Sequence, residues 1–166
     1  MRRVMMLLGV LAALNLAVAG VVKFVASRRH TYGDEESDTF DLVVPFSGRE
    51  LESHARSFAG GSVLVMFGGA EIDLRFAQLD PMGAYMEVDC WFGGVEVIVP
   101  DNWRVILNAQ TYAGGAENNA SDLLARLPED APTLEVDARV VLGGLDIRPV
   151  SARDEPQGAR ESTAPA

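Results

Sequence analysis

A chain of 166 residues is enough for one domain with accessories, and its net charge of −10 repels phosphate, which excludes nucleic acid as a partner. Apolar residues make up 48% but aromatics only 7%, so any core has to be filled by Val, Leu, Ile and Ala. A single cysteine, Cys90, excludes an internal disulfide and leaves the redox compartment open.

Val4 to Val22 is a run of nineteen residues without a charge, in which Asn15 alone is strongly polar. Arg2 and Arg3 precede it; Lys23, Arg28 and Arg29 follow. At helical rise the run spans about 28 Å, close to the thickness of bilayer hydrocarbon. Residues 1–29 therefore read as one N-terminal membrane helix with basic flanks, a single-pass anchor in the cell membrane. Ala17-Val18-Ala19 before Gly20 offers a small-x-small cleavage site, so a signal peptide is the alternative. The apolar text that resumes at Phe24-Val25-Ala26 favours the anchor. Basic residues on the two flanks balance, so the positive-inside rule assigns the rest of the chain to neither side. Residues 30–39, containing Gly33-Asp34-Glu35-Glu36-Ser37-Asp38, read as a solvated acidic linker.

Residues 40–150 are β in pattern. Five stretches end alike: an apolar residue, a small pair, any residue, then an acid. They are Pro45 to Glu50, Met66 to Glu71, Trp91 to Glu96, Tyr112 to Glu117 and Val141 to Asp146. Alternation on both sides of each pair predicts strand, corner, strand. Val63, Val65 and Phe67, Met86, Val88, Cys90 and Phe92, and Leu134 through Leu142 at every second residue are predicted inward. Beyond the pairs, so are Ala70, Ile72 and Leu74, Val95, Val97 and Val99, and Leu145 and Ile147. The matching positions Phe46, Phe67, Phe92, Ala113 and Leu142 are 21, 25, 21 and 29 residues apart. One register recurring at that period predicts an all-β solenoid of about five short rungs rather than a sandwich. Gly48, Gly68, Gly69, Gly93, Gly94, Gly114, Gly115, Gly143 and Gly144 form the corners, where a rung stacked about 4.8 Å away leaves no room for a Cβ. The longest insertion, Asn119 to Pro132, carries a short capped helix around Ser121 to Leu127 that would cover an open side of the stack. Residues 151–166 are polar, rich in Pro and Ala, and read as a disordered tail.

No catalytic constellation accompanies this architecture, so the chain reads as a non-enzyme. His30 falls in the linker and His54 in a loop, and no Cys–His set or metal-ligand cluster accompanies them, which speaks against a metal site or a nucleophile pair. The doubled glycines lack the spacing and the following helix of a phosphate loop. Glu50, Glu71, Glu96, Glu117 and Asp146 should stack as one outer column. Calcium is one explanation; solvated strand residues, compensated by Arg49, Arg75, Arg104 and Arg148, is the preferred one, because no Asp-rich loop with calcium spacing occurs. No metal or cofactor is therefore assigned. Trp91 and Ile98 share outward parity on neighbouring strands and mark either a partner surface or a patch covered by the insertion.

The stretches Phe67-Gly68-Gly69-Ala70-Glu71-Ile72-Asp73-Leu74-Arg75, Leu79-Asp80-Pro81 and Gly93-Gly94-Val95-Glu96-Val97-Ile98-Val99-Pro100, with Trp103, resemble the carboxy-terminal domain of LiaF-type cell-wall-active antibiotic response proteins of bacteria. The resemblance covers residues 61 to 148. It implies a right-handed β-helix fold, an amino-terminal membrane region, and a role in envelope-stress signalling with a protein partner, a sensor kinase or other envelope protein. It supplies no catalytic residues. The expected function is thus a membrane-tethered regulatory or scaffold module; the alternative is a carbohydrate-active or envelope-polymer-binding β-helix.

Overall fold

The computed structural model describes residues 33–151. Alternating β-branched residues produce eight strands and one 3-10 helix: β1 (Thr39–Val44), β2 (Ser47–Glu52), β3 (Gly60–Asp73), β4 (Ala84–Pro100), β5 (Arg104–Tyr112), β6 (Gly115–Asn118), the helix (Asn119–Arg126), β7 (Thr133–Val141) and β8 (Gly144–Val150). All strands join one sheet system, and every pairing is parallel. The predicted anchor at 1–29 and the tail from 152 on lie outside the described residues. Among the described residues no helix is long and apolar enough to cross a membrane.

The strands stack five layers deep along two ladders, β1-β3-β4-β7-β5 before the corner and β2-β3-β4-β8-β6 after it. Register is strict, so equal positions of the repeat form columns. Leu42, Val63, Val88, Ala138 and Ala109 make one column; Val44, Val65, Cys90, Val140 and Thr111 make another. Across the corner Leu51, Ile72, Val97, Ile147 and Asn118 continue the pattern. The middle layers of these columns are almost wholly buried, as alternation predicts. A third, irregular side links the first three layers to one another through hydrogen bonds such as Ser53 N to Asp73 O (2.8 Å), Leu74 N to Ile98 O (2.8 Å) and Phe58 N to Gln78 O (2.7 Å). Inside it Phe58 stacks between Phe40 and Trp103, with centroids 5.8 and 6.5 Å away.

Spatial order departs from chain order. β7 and β8, from the fifth repeat, pair with β4; β5 and β6, from the fourth, lie beyond them as the last layer. The chain skips a place after β4 and returns to fill it. The longest insertion makes that return, which is the physical reason for its length. Its helix is capped by Asn118, whose side chain accepts from Ala120 N at 3.1 Å, one turn earlier than the sequence suggests. It packs against β5 and β8, with Ala120 buried.

Two sequence expectations change here. The first is inward parity at the bend: Phe92 and Leu142 are 43% and 53% exposed, and Phe67 is half-buried. Parity shifts because the core side ends at Val65, Cys90 and Val140 and resumes only at Ala70, Val95 and Leu145, leaving the intervening residues outside the bend. The second concerns the acidic stretch. Its side chains are largely solvated, but the backbone of residues 34–38 is tied to the first layer. His54 N donates to Glu35 O (2.6 Å) and Ala59 N to Asp38 O (2.8 Å), with Asp34 and Ser37 closing a turn between them.

Candidate functional site

The corner gathers the repeat into a groove of about 860 Å³ that crosses all five layers. The two glycines of each pair play different parts. A Cβ on Gly68 would lie 1.9 Å from Ser47 O; on Gly93, 1.9 Å from Gly68 O; on Gly143, 2.4 Å from Gly93 O; on Gly114, 2.2 Å from Gly143 O. These first glycines are required by the layer stacked on them, as the sequence argument holds. The second glycines are not. Around Gly48, Gly94, Gly115 and Gly144 nothing lies within 4 Å of a built Cβ, and Gly69 meets only Gly94 O at 3.7 Å. They stand in register and form the floor of the groove, where each added side chain would fill open space rather than collide.

One wall is the predicted acid column. Its spatial order is Glu50, Glu71, Glu96, Asp146, Glu117, following the layers rather than the chain. Arg148 compensates it from within: it pairs with Glu96, and its Nε lies 3.8 Å from Asp146 Oδ2. Asn119 Nδ2 donates to Asp146 Oδ1 at 2.8 Å. Of the other arginines expected to compensate the column, Arg75 grips Asp73 and Arg104 donates to Pro128 O at 3.0 Å. Among the described residues Glu50, Glu71 and Glu117 form no salt bridge within 4.0 Å, and no group of three or more His, Cys, Asp or Glu is placed to hold a metal ion.

The apolar residues just before the glycines form a ridge beside the floor. Phe46 and Phe67 stack with centroids 5.5 Å apart and planes at 6°; Phe67 and Phe92 stack at 4.9 Å and 4°. Leu142 and then Ala113 carry the ridge to the last layer, both exposed. There the backbone turns through the left-handed region at these two residues (φ 54° and 55°). This ridge is the feature of the candidate site that sequence reasoning missed. Its signal was present as the recurrent Phe before a bend, but strict period two assigns that residue to the core.

Other singled-out residues lie apart from the groove. Trp91 is exposed and Ile98 is buried, so the two share no open patch. His54 Nε2 lies 2.6 Å from Glu52 Oε1, and its ring stacks on Phe76 at 5.2 Å. Phe76 in turn lies under Arg75, whose guanidinium carbon is 5.6 Å from the ring centroid. Asp73, predicted outward, is buried but satisfied by two-oxygen contact with Arg75 Nε at 2.9 Å. Burial is the largest influence on its carboxyl and pushes the pKa up. The Arg75 hydrogen bonds and charge, with a smaller contribution from His54, outweigh it and hold the group below its ordinary value. Cys90 is wholly buried, and burial pushes its thiol pKa up, which suits an inert core side chain.

Comparison with known proteins returns no matching family model, no matching curated protein and no matching solved structure.

Proposed function

We propose that the chain is a membrane-tethered, non-catalytic regulatory or scaffold module of the LiaF-like kind, and that a protein partner docks in the corner groove of its β domain. We read the five layers as a right-handed β-helix-like solenoid, rigid enough to present the groove as a preformed surface. The observation that carries the reading is the composition of that groove. A bare backbone floor and an acid wall cross all five layers, and beside them runs an apolar ridge of Phe46, Phe67, Phe92 and Leu142 that ends in Ala113. A partner segment that lays apolar side chains on the ridge and offers Lys or Arg to Glu50, Glu71 and Glu117 satisfies all three at once. The apolar run at 4–22 supports tethering, which raises the local concentration near other membrane proteins to the order of mM.

Acids beside aromatic rings also suit an envelope polymer, the rival ligand. The stacking geometry weighs against it. Phe67 is sandwiched between two nearly parallel rings, so its faces are already used, whereas a sugar platform needs a free aromatic face.

A photo-crosslinking side chain at Phe92 in the full chain tests the reading in cells. The expected result is one dominant protein adduct, lost with Gly94→Lys, which fills the groove where a Cβ meets nothing, and lost on removal of residues 1–29. An unrelated single-pass helix in place of 1–29 should restore it. An adduct indifferent to Gly94→Lys would remove the groove from the argument, and turnover of an envelope polymer by the purified chain would establish the rival.

A further inference from the structure

The two ends of the stack differ in a way the groove does not explain. At the first end the edge strands carry Asp41, Arg49, Glu50 and Glu52, and residues 33–38 fold against that layer. Charges and covering segments are how natural sheets keep an edge from pairing. Among the described residues the last layer lacks both along most of its length. From Val105 to Ala116 there is no charged residue, in a chain whose net charge is −10. Among the described residues only the start of β5 is protected, where Asn118 Nδ2 at the end of β6 donates to Val105 O at 3.1 Å.

The backbone geometry of β5 then identifies which groups are free. Arg104 N donates to Pro132 O, and Tyr112 O accepts from Leu142 N, so the even-numbered residues of β5 face β7. By alternation the N–H and C=O groups of Leu107, Ala109 and Thr111 face away from the sheet. Their side chains continue the core columns above Val136, Ala138 and Val140, yet Ala109 and Thr111 are exposed and Leu107 is half-buried. The end of the core is open there.

We infer that a second copy of this chain pairs antiparallel with this edge, β5 on β5, about a two-fold axis at Ala109. Centred there, Leu107 meets Thr111 of the second copy, Ala109 meets Ala109, and the free groups of all three residues face one another in about six backbone hydrogen bonds. On the outer face Ile106, 43% exposed, falls opposite Tyr112, 60% exposed, and Asn108 opposite Gln110. The match is isologous, as a two-fold interface must be, and brings no like charges together. No charge lies within the paired segment of either copy, and each Glu117 lies beyond an opposite end of it, which limits repulsion between two acidic chains.

The full chain in mild detergent tests this by sedimentation and by crosslinking. The wild type should sediment as a dimer. Ala109→Lys should be monomeric with an unchanged melting temperature, since it places two ammonium groups at the axis on a position already exposed. Ala109→Cys should be joined to a covalent dimer by a short bismaleimide, Cys90 being buried, while Glu50→Cys at the other end should not. A wild type that stays monomeric throughout the micromolar range overturns the inference. So does a dimer that survives Ala109→Lys, which would assign dimerisation to the N-terminal run, or crosslinking at Glu50→Cys in preference to Ala109→Cys.

Discussion

Gly93 and Gly94 are chain neighbours with opposite tolerance for a methyl group, and the pair isolates the stacking constraint from every other property of glycine. Neither has its backbone in the left-handed region, so alanine brings no conformational strain to either. At Gly93 the new Cβ would lie 1.9 Å from Gly68 O and 2.9 Å from Gly68 C, while ordinary contact begins at 3.4 Å. The oxygen must withdraw by about 1.5 Å, enough to break a backbone hydrogen bond of normal length. Two ladder bonds flank the site; leaving their groups unpaired at about 1–3 kcal/mol each makes a cost of about 2–6 kcal/mol. At Gly94 the Cβ meets nothing within 4 Å, and the loss of unfolded-state freedom should stabilise by about 0.4–1 kcal/mol. At about 3–5 °C per kcal/mol for a domain of this size, Gly93→Ala should lower the melting temperature by roughly 6–30 °C and Gly94→Ala raise it by a few degrees. Calorimetry or circular dichroism on the two purified variants reads the difference. Equal destabilisation would refute the assignment of one glycine to the stack and the other to the groove.

Val97 is wholly buried and Glu96 sits on the outer face beside Arg148. Val97→Asp should therefore cost several kcal/mol, and Glu96→Ala about 0–1 kcal/mol, as measured by denaturant melts. Asp73 has a folded pKa below its ordinary value of 3.8, so its contribution to stability is present above that value and lost as pH falls through the folded pKa. Acid titration of the melting temperature should accordingly fall more steeply below pH 3.8 in the wild type than in Asp73→Asn; parallel curves would show that the Asp73 carboxyl is not held below its ordinary value in the folded protein.

Period two and the repeated small pair made the strands, their inward columns and the aligned acid column legible before any coordinates. Val63, Val65, Met86, Val88, Leu134, Val136, Val97 and Ile147 are all buried where alternation assigns them. What the pattern could not carry is what happens at the bend itself. Period two assumes a straight strand, and the corner interrupts it for Phe67, Phe92 and Leu142 although β3 and β4 continue through as single strands. The same limit leaves the glycine pair undivided: sequence treats both members as corner residues, whereas only the spacing of neighbouring layers shows which one is compressed. Asp73 was misread for a different reason. Its outward parity is right for an open strand, but Arg75 two residues on supplies a partner that makes burial tolerable.

The order of the last two layers has a rationale in composition that becomes visible only once the stack is known. At the three core columns the fifth repeat offers Ala138, Val140 and Ile147, while the fourth offers Ala109, Thr111 and Asn118. The more polar set is suited to an end, where a column is closed on one side only, and the more apolar set to the interior, so core burial alone favours the skipped order. The acid column points the same way. In chain order Glu50, Glu71, Glu96 and Glu117 would be four successive layers of like charge, and the residue two beyond Glu117 is Asn119, which cannot neutralise them. Placing the fifth repeat against β4 instead brings Arg148 between Glu96 and Asp146, and leaves Asn119 to bond Asp146 from the outer layer. Both preferences are independent of the corner motif, which is the same in the two repeats and therefore silent about their order. They also explain why β5, uncharged beyond Arg104 and weakly apolar, ends up as the exposed edge: it is the layer whose burial would gain least.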